Sequence, residues 1–425
     1  MRLTAKPILV GSLAATLLVI LNAVPALPQS DHLIQTEIDS AIEESLWKLG
    51  PFRMRPQIRI GAGYDSNSLS SASATEQIED FTARIAPGIR VVTPMKNRAL
   101  LEIYEEVNFV YYNQVEDLRD IYNVTRLGGA VGGRKIIFRV YDEFRNGRTR
   151  PSSEFDIPAK RRQNTLLAEM DLSLGTRHLL TFGYRHNRLQ YQDVFDSPLR
   201  STELLNRTEH TYGLRVTRRL SAKTSAVIEG SYQLMDFDEA ASLRDGQAYR
   251  AEAGFVFNPK SNVRGQALLG YKHMVPELVL QPEYSGLIGS VDVLTQMGER
   301  FDVRTLYSRD TLPSVVAGNW YFIEHRFGGE IDVWVTRSLY VTPGVVFGRN
   351  NYPRPAEIIN NEGELVEQTI EDRFDIYSLS INHGIGGLWR AYVSADYLDR
   401  QSNFFLFTKD RLVFGFGVST DFPGR

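Results

Sequence analysis

The stretch "RLVFGFGVSTDF", Arg411 to Phe422, repeats with period two. Leu412, Phe414, Phe416, Val418, Thr420 and Phe422 fall on one face, and Arg411, Val413, Gly415, Gly417, Ser419 and Asp421 on the other. Successive side chains of a strand point to opposite faces, so the segment reads as a strand with one unbroken apolar face. Upstream, Trp389, Ala391, Val393, Ala395 and Tyr397 alternate with Arg390, Tyr392, Ser394 and Asp396. Rings close both ends of that face, with small aliphatics between them. A strand crossing a bilayer shows this order, because aromatic side chains settle at the two interfaces.

The alternation extends back through Thr224–Leu234, Val263–Lys272, Arg300–Tyr307 and Glu330–Val335. Glu105 and Asp142 break it by falling on otherwise apolar faces, which a bulge or a position near the interface would explain. Connection lengths alternate as well. Eight tight links, among them Pro94–Asn97 and Gly132–Arg134, separate nine longer polar stretches, among them Ser66–Glu79, Gly147–Arg161 and Asn350–Gln368. Short turns on one rim and long loops on the other are the outer-membrane pattern. A soluble sandwich or propeller would also alternate, but it would not need strands of about ten residues with aromatic borders. In lipid only a closed barrel leaves no strand edge unpaired. The expected fold is therefore all-β, a transmembrane antiparallel outer-membrane barrel of about 18 strands spanning 56–425.

Before the barrel, Arg2 and Lys6 precede the apolar run Ile8–Val24, and small residues follow at Ala23, Ala26 and Ser30. This is the pattern of a cleaved export signal over 1–30, with the cut between 26 and 31. Both termini of the mature barrel are then expected in the periplasm. Asp31–Gly50 carries Ile34, Ile38, Ile42, Leu46 and Leu49 at helical spacing, an amphipathic periplasmic helix that Gly50-Pro51 would stop. It is expected either to rest on the barrel or to enter its lumen, and 31–55 is assigned to helix and linker. The chain has no cysteine, hence no disulfide or thiolate site. Net charge is −3, or −5 without Arg2 and Lys6, and no basic tract suggests nucleic acid.

Catalytic chemistry is not expected. The seven histidines are scattered without ligand spacing, and no Gly-x-Ser-x-Gly elbow occurs. No cofactor or metal is implied. Turning the apolar faces outward leaves as pore-lining candidates Arg59, Arg84, Arg90, Arg139, Arg185, Arg215, Arg250, Arg264, Arg304, Arg326 and Arg390. With them go Glu229, Glu252, Asp292, Asp302, Glu324, Glu330 and Tyr392. Two readings fit this set. Opposed charges and tyrosine faces could form a track for acidic sugars, or the charges could pair between neighbouring strands and brace a hydrated wall.

The stretch "GAGYDSNS", with Gly63, Tyr64, Asp65, Ser66 and Asn67 before a serine-rich loop, resembles the opening strand of the β-barrel porin type 2 family. Its glycines lack the Lys-Ser/Thr pair of a phosphate loop. The resemblance implies a passive outer-membrane conduit of the kind that accompanies exopolysaccharide export, and it transfers no catalytic residue. Expected partners are outer-membrane lipids and lipopolysaccharide, a polysaccharide or other polar solute, and periplasmic or inner-membrane export proteins. The aromatic Phe422 near the C-terminus adds the barrel assembly machinery, although Pro423-Gly424-Arg425 follow it. A general diffusion porin and a structural or adhesive barrel are the alternatives.

Overall fold

The computed structural model describes residues 33–72, 77–96, 98–154, 156–193, 203–238, 244–259, 261–279, 281–360 and 363–420. The export signal and Phe422 lie outside them. Eighteen long strands form one antiparallel sheet. In chain order they are β1 Phe52–Asp65, β2 Asp80–Met95, β3 Ala99–Tyr112, β4 Asp120–Gly132, β5 Ile136–Thr149 and β6 Ala159–Leu174. Next come β7 His178–Asp193, β8 Arg207–Arg219, β9 Thr224–Phe237, β10 Gly246–Phe257, β11 Val263–Pro276 and β12 Tyr284–Met297. The last six are β13 Phe301–Pro313, β14 Tyr321–Trp334, β15 Leu339–Asn351, β16 Glu371–Ile385, β17 Trp389–Ser402 and β18 Lys409–Ser419.

Each strand pairs with the next, and β18 returns to β1 from Arg59↔Ser419 to Asp65↔Val413. The sheet is thereby a closed barrel, in which every backbone donor and acceptor can find a neighbour. Close approach at this seam needs glycine. A Cβ on Gly61 or Gly417 would stand 2.8 Å from the Tyr392 hydroxyl, so the tyrosine lies where those two side chains would be. The outward face is apolar, with Phe81, Ile103, Leu127, Ile228, Leu269, Phe327 and Phe416 all exposed. Rings border it as expected from the sequence: Tyr184, Tyr212, Tyr232 and Tyr249 run across neighbouring strands with centroids 5.0–6.5 Å apart.

Three local expectations change. The first strand starts at Phe52 rather than Pro56. Pro56 fits inside it because β18 pairs only from Arg59 onward and the chain before β1 pairs only as far as Met54, so Pro56 has β2 as its single neighbour. The helix, α1, spans Leu33–Glu43 and ends well before Gly50. Trp47–Leu49 instead folds back on Phe52–Met54 as a short strand, with Gly50 at φ 58° in the turn. Ile42, Leu46 and Leu49 are consequently exposed, and the buried stripe is Ile34, Ile38 and Ala41. Finally, Glu105 and Asp142 sit mid-strand on the outward face, in a continuous register without a bulge. Each is satisfied laterally, Glu105 by the Thr125 hydroxyl at 2.5 Å and Asp142 by the Asn164 amide at 2.8 Å.

Candidate functional site: a lumen stopped at both rims

Inside the barrel lies a cavity of about 3530 Å³. Its wall carries Arg59, Arg84, Arg90, Arg139, Arg185, Arg250, Arg264, Arg304 and Arg390, with Asp292, Asp302, Glu330 and Tyr392. Arg215 and Glu229, directly opposed on β8 and β9, form an ion pair at 2.5 Å. Glu252 is held 2.9 Å from Arg250. Glu324, 2.8 Å from Arg326, is placed differently from a free pore wall, since Ser153 of a rim loop donates to it. Of the histidines, His186, His210 and His325 occupy outward register positions, and no group of potential metal ligands occurs among the described residues.

Sequence reasoning missed a second set on the same wall: Arg126, Glu143, Arg145, Arg161, Arg207, Glu209 and Asp310, which Lys272 joins from the polar face of β11. Continuing the period two from Arg139 through Tyr141 would have reached Glu143 and Arg145. Most of the charges pair. Arg304 reaches Asp292 at 2.7 Å, Arg250 and Lys272 share Asp310 at 2.6 and 2.9 Å, and Arg126 reaches Glu143 at 2.5 Å. Arg84, Arg161 and Arg185 line the cavity without a carboxylate at salt-bridge distance among the described residues. Tyr112, Tyr122 and Tyr191 line the same side. The wall from β2 to β7 is therefore left with cationic character.

At the short-turn rim α1 lies within the barrel. Ile34, Ile38 and Ala41 pack on the inward-facing Val92, Leu100, Ala130 and Ile137. Two arginines fasten it. Arg139 bridges Glu37 of the helix at 2.5 Å and Asp171 of the wall at 2.7 Å. Arg90 bridges Glu44 at 2.5 Å and Glu102 at 2.8 Å. Burial raises the Glu37 carboxyl above its ordinary range, and Arg139 only partly offsets it. Thus the amphipathic pattern is spent on the inner wall rather than on an outside surface.

At the long-loop rim, residues 150–154 and 156–158 of the connection between β5 and β6 cross the mouth to the opposite wall. Glu154 is buried, accepting from the Ser314 hydroxyl at 2.6 Å and the Val315 amide at 2.7 Å, while Arg400 donates to its carbonyl at 3.1 Å. Ser153 donates to Glu324 at 2.5 Å. Arg150 donates to the Asp156 carbonyl at 2.6 Å and the Ser68 carbonyl at 3.2 Å. The crossing rests beside a buried apolar cluster of Phe322, Tyr352, Ile358, Ile370, Phe404 and Phe407. Burial pushes the Glu154 carboxyl up to about 7, against the Ser314 and Val315 hydrogen bonds and the Arg244 charge. Burial would raise Asp156 too, but Arg150 and Lys409 outweigh it and hold it below the usual range.

No curated protein matches this sequence. Among solved structures, Pseudomonas aeruginosa OpdO superposes with TM-score 0.50 at 10% identity, over 87% of this chain and 97% of that one. OccK5 (OpdH) of the same species gives 0.50 at 12%, over 87% and 98%. Both likenesses speak to the fold alone. A structure titled a bacterial polysaccharide outer membrane secretin reaches only 0.35 at 10% identity, over 87% and 98%, too distant to carry an argument. The family profile described as "Putative beta-barrel porin 2" matches residues 43–366, from the end of α1 to the loop after β15, and the chain belongs to that family.

Proposed function

We propose that the chain is a passive outer-membrane conduit for an anionic, hydrated solute, and that the solute is an acidic exopolysaccharide or a related polar polymer on its way out. The observation that carries this reading is the set of lumenal guanidiniums Arg84, Arg161 and Arg185, with no carboxylate at salt-bridge distance among the described residues, beside Tyr112, Tyr122 and Tyr191. Arginine binds sugar carboxylates in a bidentate fashion, and cationic linings favour anions. Short turns face the periplasm in such barrels, which would put α1 where a periplasmic export partner could reach it. The barrel provides no energy source of its own, so polymer movement would be driven by synthesis behind it.

A deletion strain tests this reading. Secreted acidic polymer should fall and return with the wild-type gene, but return only weakly with Arg84, Arg161 and Arg185 changed together to Gln. Unchanged secretion in the deletion strain contradicts export. The pairing of most wall charges, as in Arg304–Asp292 and Arg250–Asp310, favours a second reading, a general diffusion porin. That reading expects normal secretion and a loss of small-solute uptake.

A further inference from the structure

On the outer surface, one row of three arginines and a histidine crosses four neighbouring strands. Arg309 of β13 pairs in register with His325 of β14, His325 with Arg349 of β15, and Arg349 with Arg373 of β16. All four alternate with inward-facing residues, and Arg349 and Arg373 are exposed. The row is bounded by Gly289 on one side and Gln401 on the other. Like charges directly opposite one another on a sheet destabilise it, and Arg349 and Arg373 stand in that relation. Asp375 offsets Arg373 at 2.7 Å; Arg309 spends its guanidinium on the Leu287 carbonyl and on the His325 ring at 3.4 Å.

The row's height is fixed by what lies next to it. One step further into the membrane belt, the register aligns Tyr307, Phe327 and Phe347 before reaching Asp375. Phe327 and Phe347 are exposed large apolar side chains. Aromatic rings of a membrane barrel mark the level of the lipid headgroups. The three arginines and His325 therefore stand just beyond the apolar belt on the long-loop side, where headgroup phosphates would lie. Guanidinium is the side chain that matches phosphate with paired hydrogen bonds.

We propose that Arg309, His325, Arg349 and Arg373 form a binding site for the phosphates of a membrane glycolipid, its acyl chains lying along Tyr307, Phe327 and Phe347. The site is independent of the lumen and of what passes through it. The ligand supplies negative charge to Arg309 and Arg349, which have no carboxylate at salt-bridge distance among the described residues, and the row would orient one lipid against β13–β16.

The test uses the full-length protein refolded in phosphatidylcholine vesicles, with bisphosphorylated lipid A as the probe and its dephosphorylated form as control. Co-purification of lipid A, read by native mass spectrometry, should exceed that of the dephosphorylated form by tenfold or more. The triple change Arg309→Gln, Arg349→Gln and Arg373→Gln should remove that preference. Arg188→Gln, an outward arginine already neutralised by Asp238 at 2.5 Å, should leave it intact. Gel mobility before and after heating verifies that each variant is folded, and Arg349→Lys serves if the triple variant fails to fold, with a several-fold loss expected from its single point charge. Equal retention of the two lipids, or equal loss on Arg188→Gln, overturns the proposal. So does competition by inorganic phosphate at the same concentration as lipid A, which would mark a site for free phosphate.

Discussion

The Glu154 carboxylate, in the loop between β5 and β6, accepts a 2.6 Å hydrogen bond from Ser314, in the loop between β13 and β14. In a ring of 18 strands these loops stand on opposite sides, so this contact ties a strap across the mouth. Breaking it should open the long-loop rim. Ser314→Ala together with Glu154→Ala is expected to raise single-channel conductance several-fold in planar bilayers, and an unchanged conductance would show that the strap does not obstruct flow.

The same contact carries a pH dependence. Because the seated Glu154 titrates at about 7, above an ordinary carboxyl, seating is favoured when it is protonated. Its contribution to seating is complete below the ordinary value of 4.5 and fades as pH rises through about 7. Groups facing it include Arg244, Tyr352, Asp372 and Arg400, with Arg150, Asp156 and Lys409 nearby. Conductance should therefore increase from pH 5 to pH 8, and Glu154→Gln should hold the channel in its low-pH state throughout. A wild-type channel equally conductive at both values would count against a titrating strap.

At the other rim, Arg139→Ala should release α1. Two acids, Glu37 and Asp171, would lose their shared partner, and removing one member of a buried pair costs about 3–5 kcal/mol. Ile38→Asp attacks the same seat through the apolar stripe. Both variants should expose 33–43 to protease in intact vesicles while the barrel itself stays heat-resistant on gels. Continued protection of the helix in both would contradict the docking geometry.

Glu105 offers a stability test that is independent of transport. A carboxylate facing lipid at mid-strand is unfavourable, less so than the ~2–4 kcal/mol of a midplane Arg or Lys, and Thr125 recovers part of it. Glu105→Leu paired with Thr125→Val should stabilise the barrel by roughly 1 kcal/mol in equilibrium refolding into vesicles. Destabilisation instead would mean that another protein covers this face.

What was legible in the sequence were the features carried by neighbours in the chain. Leu412, Phe414 and Phe416 announce a strand by themselves, and turns such as Gly132–Arg134 announce the short rim, so strand number and facing follow. The reach of Glu154 was not legible, because its partners Ser314, Val315 and Arg400 lie far along the chain and no periodicity links them. Likewise the stripe of α1 was visible while its destination was not. Ile34 and Ile38 show that a face must be buried, but only the closed wall brings Val92, Leu100, Ala130 and Ile137 together to receive it. The wall charges fall between these cases. Arg84 and Arg185 are placed by alternation, yet whether a carboxylate comes within salt-bridge distance of them depends on which acids their neighbouring strands bring alongside.

The account rests on a lumen that conducts and favours anions once both rims are released. The direct measurement is the reversal potential, across a KCl gradient, of a channel carrying both Glu154→Ala and Arg139→Ala. An anion-selective potential that shifts toward zero when Arg84, Arg161 and Arg185 are changed to Gln is the predicted result. A closed channel, or a cation-selective one indifferent to those three arginines, would contradict it.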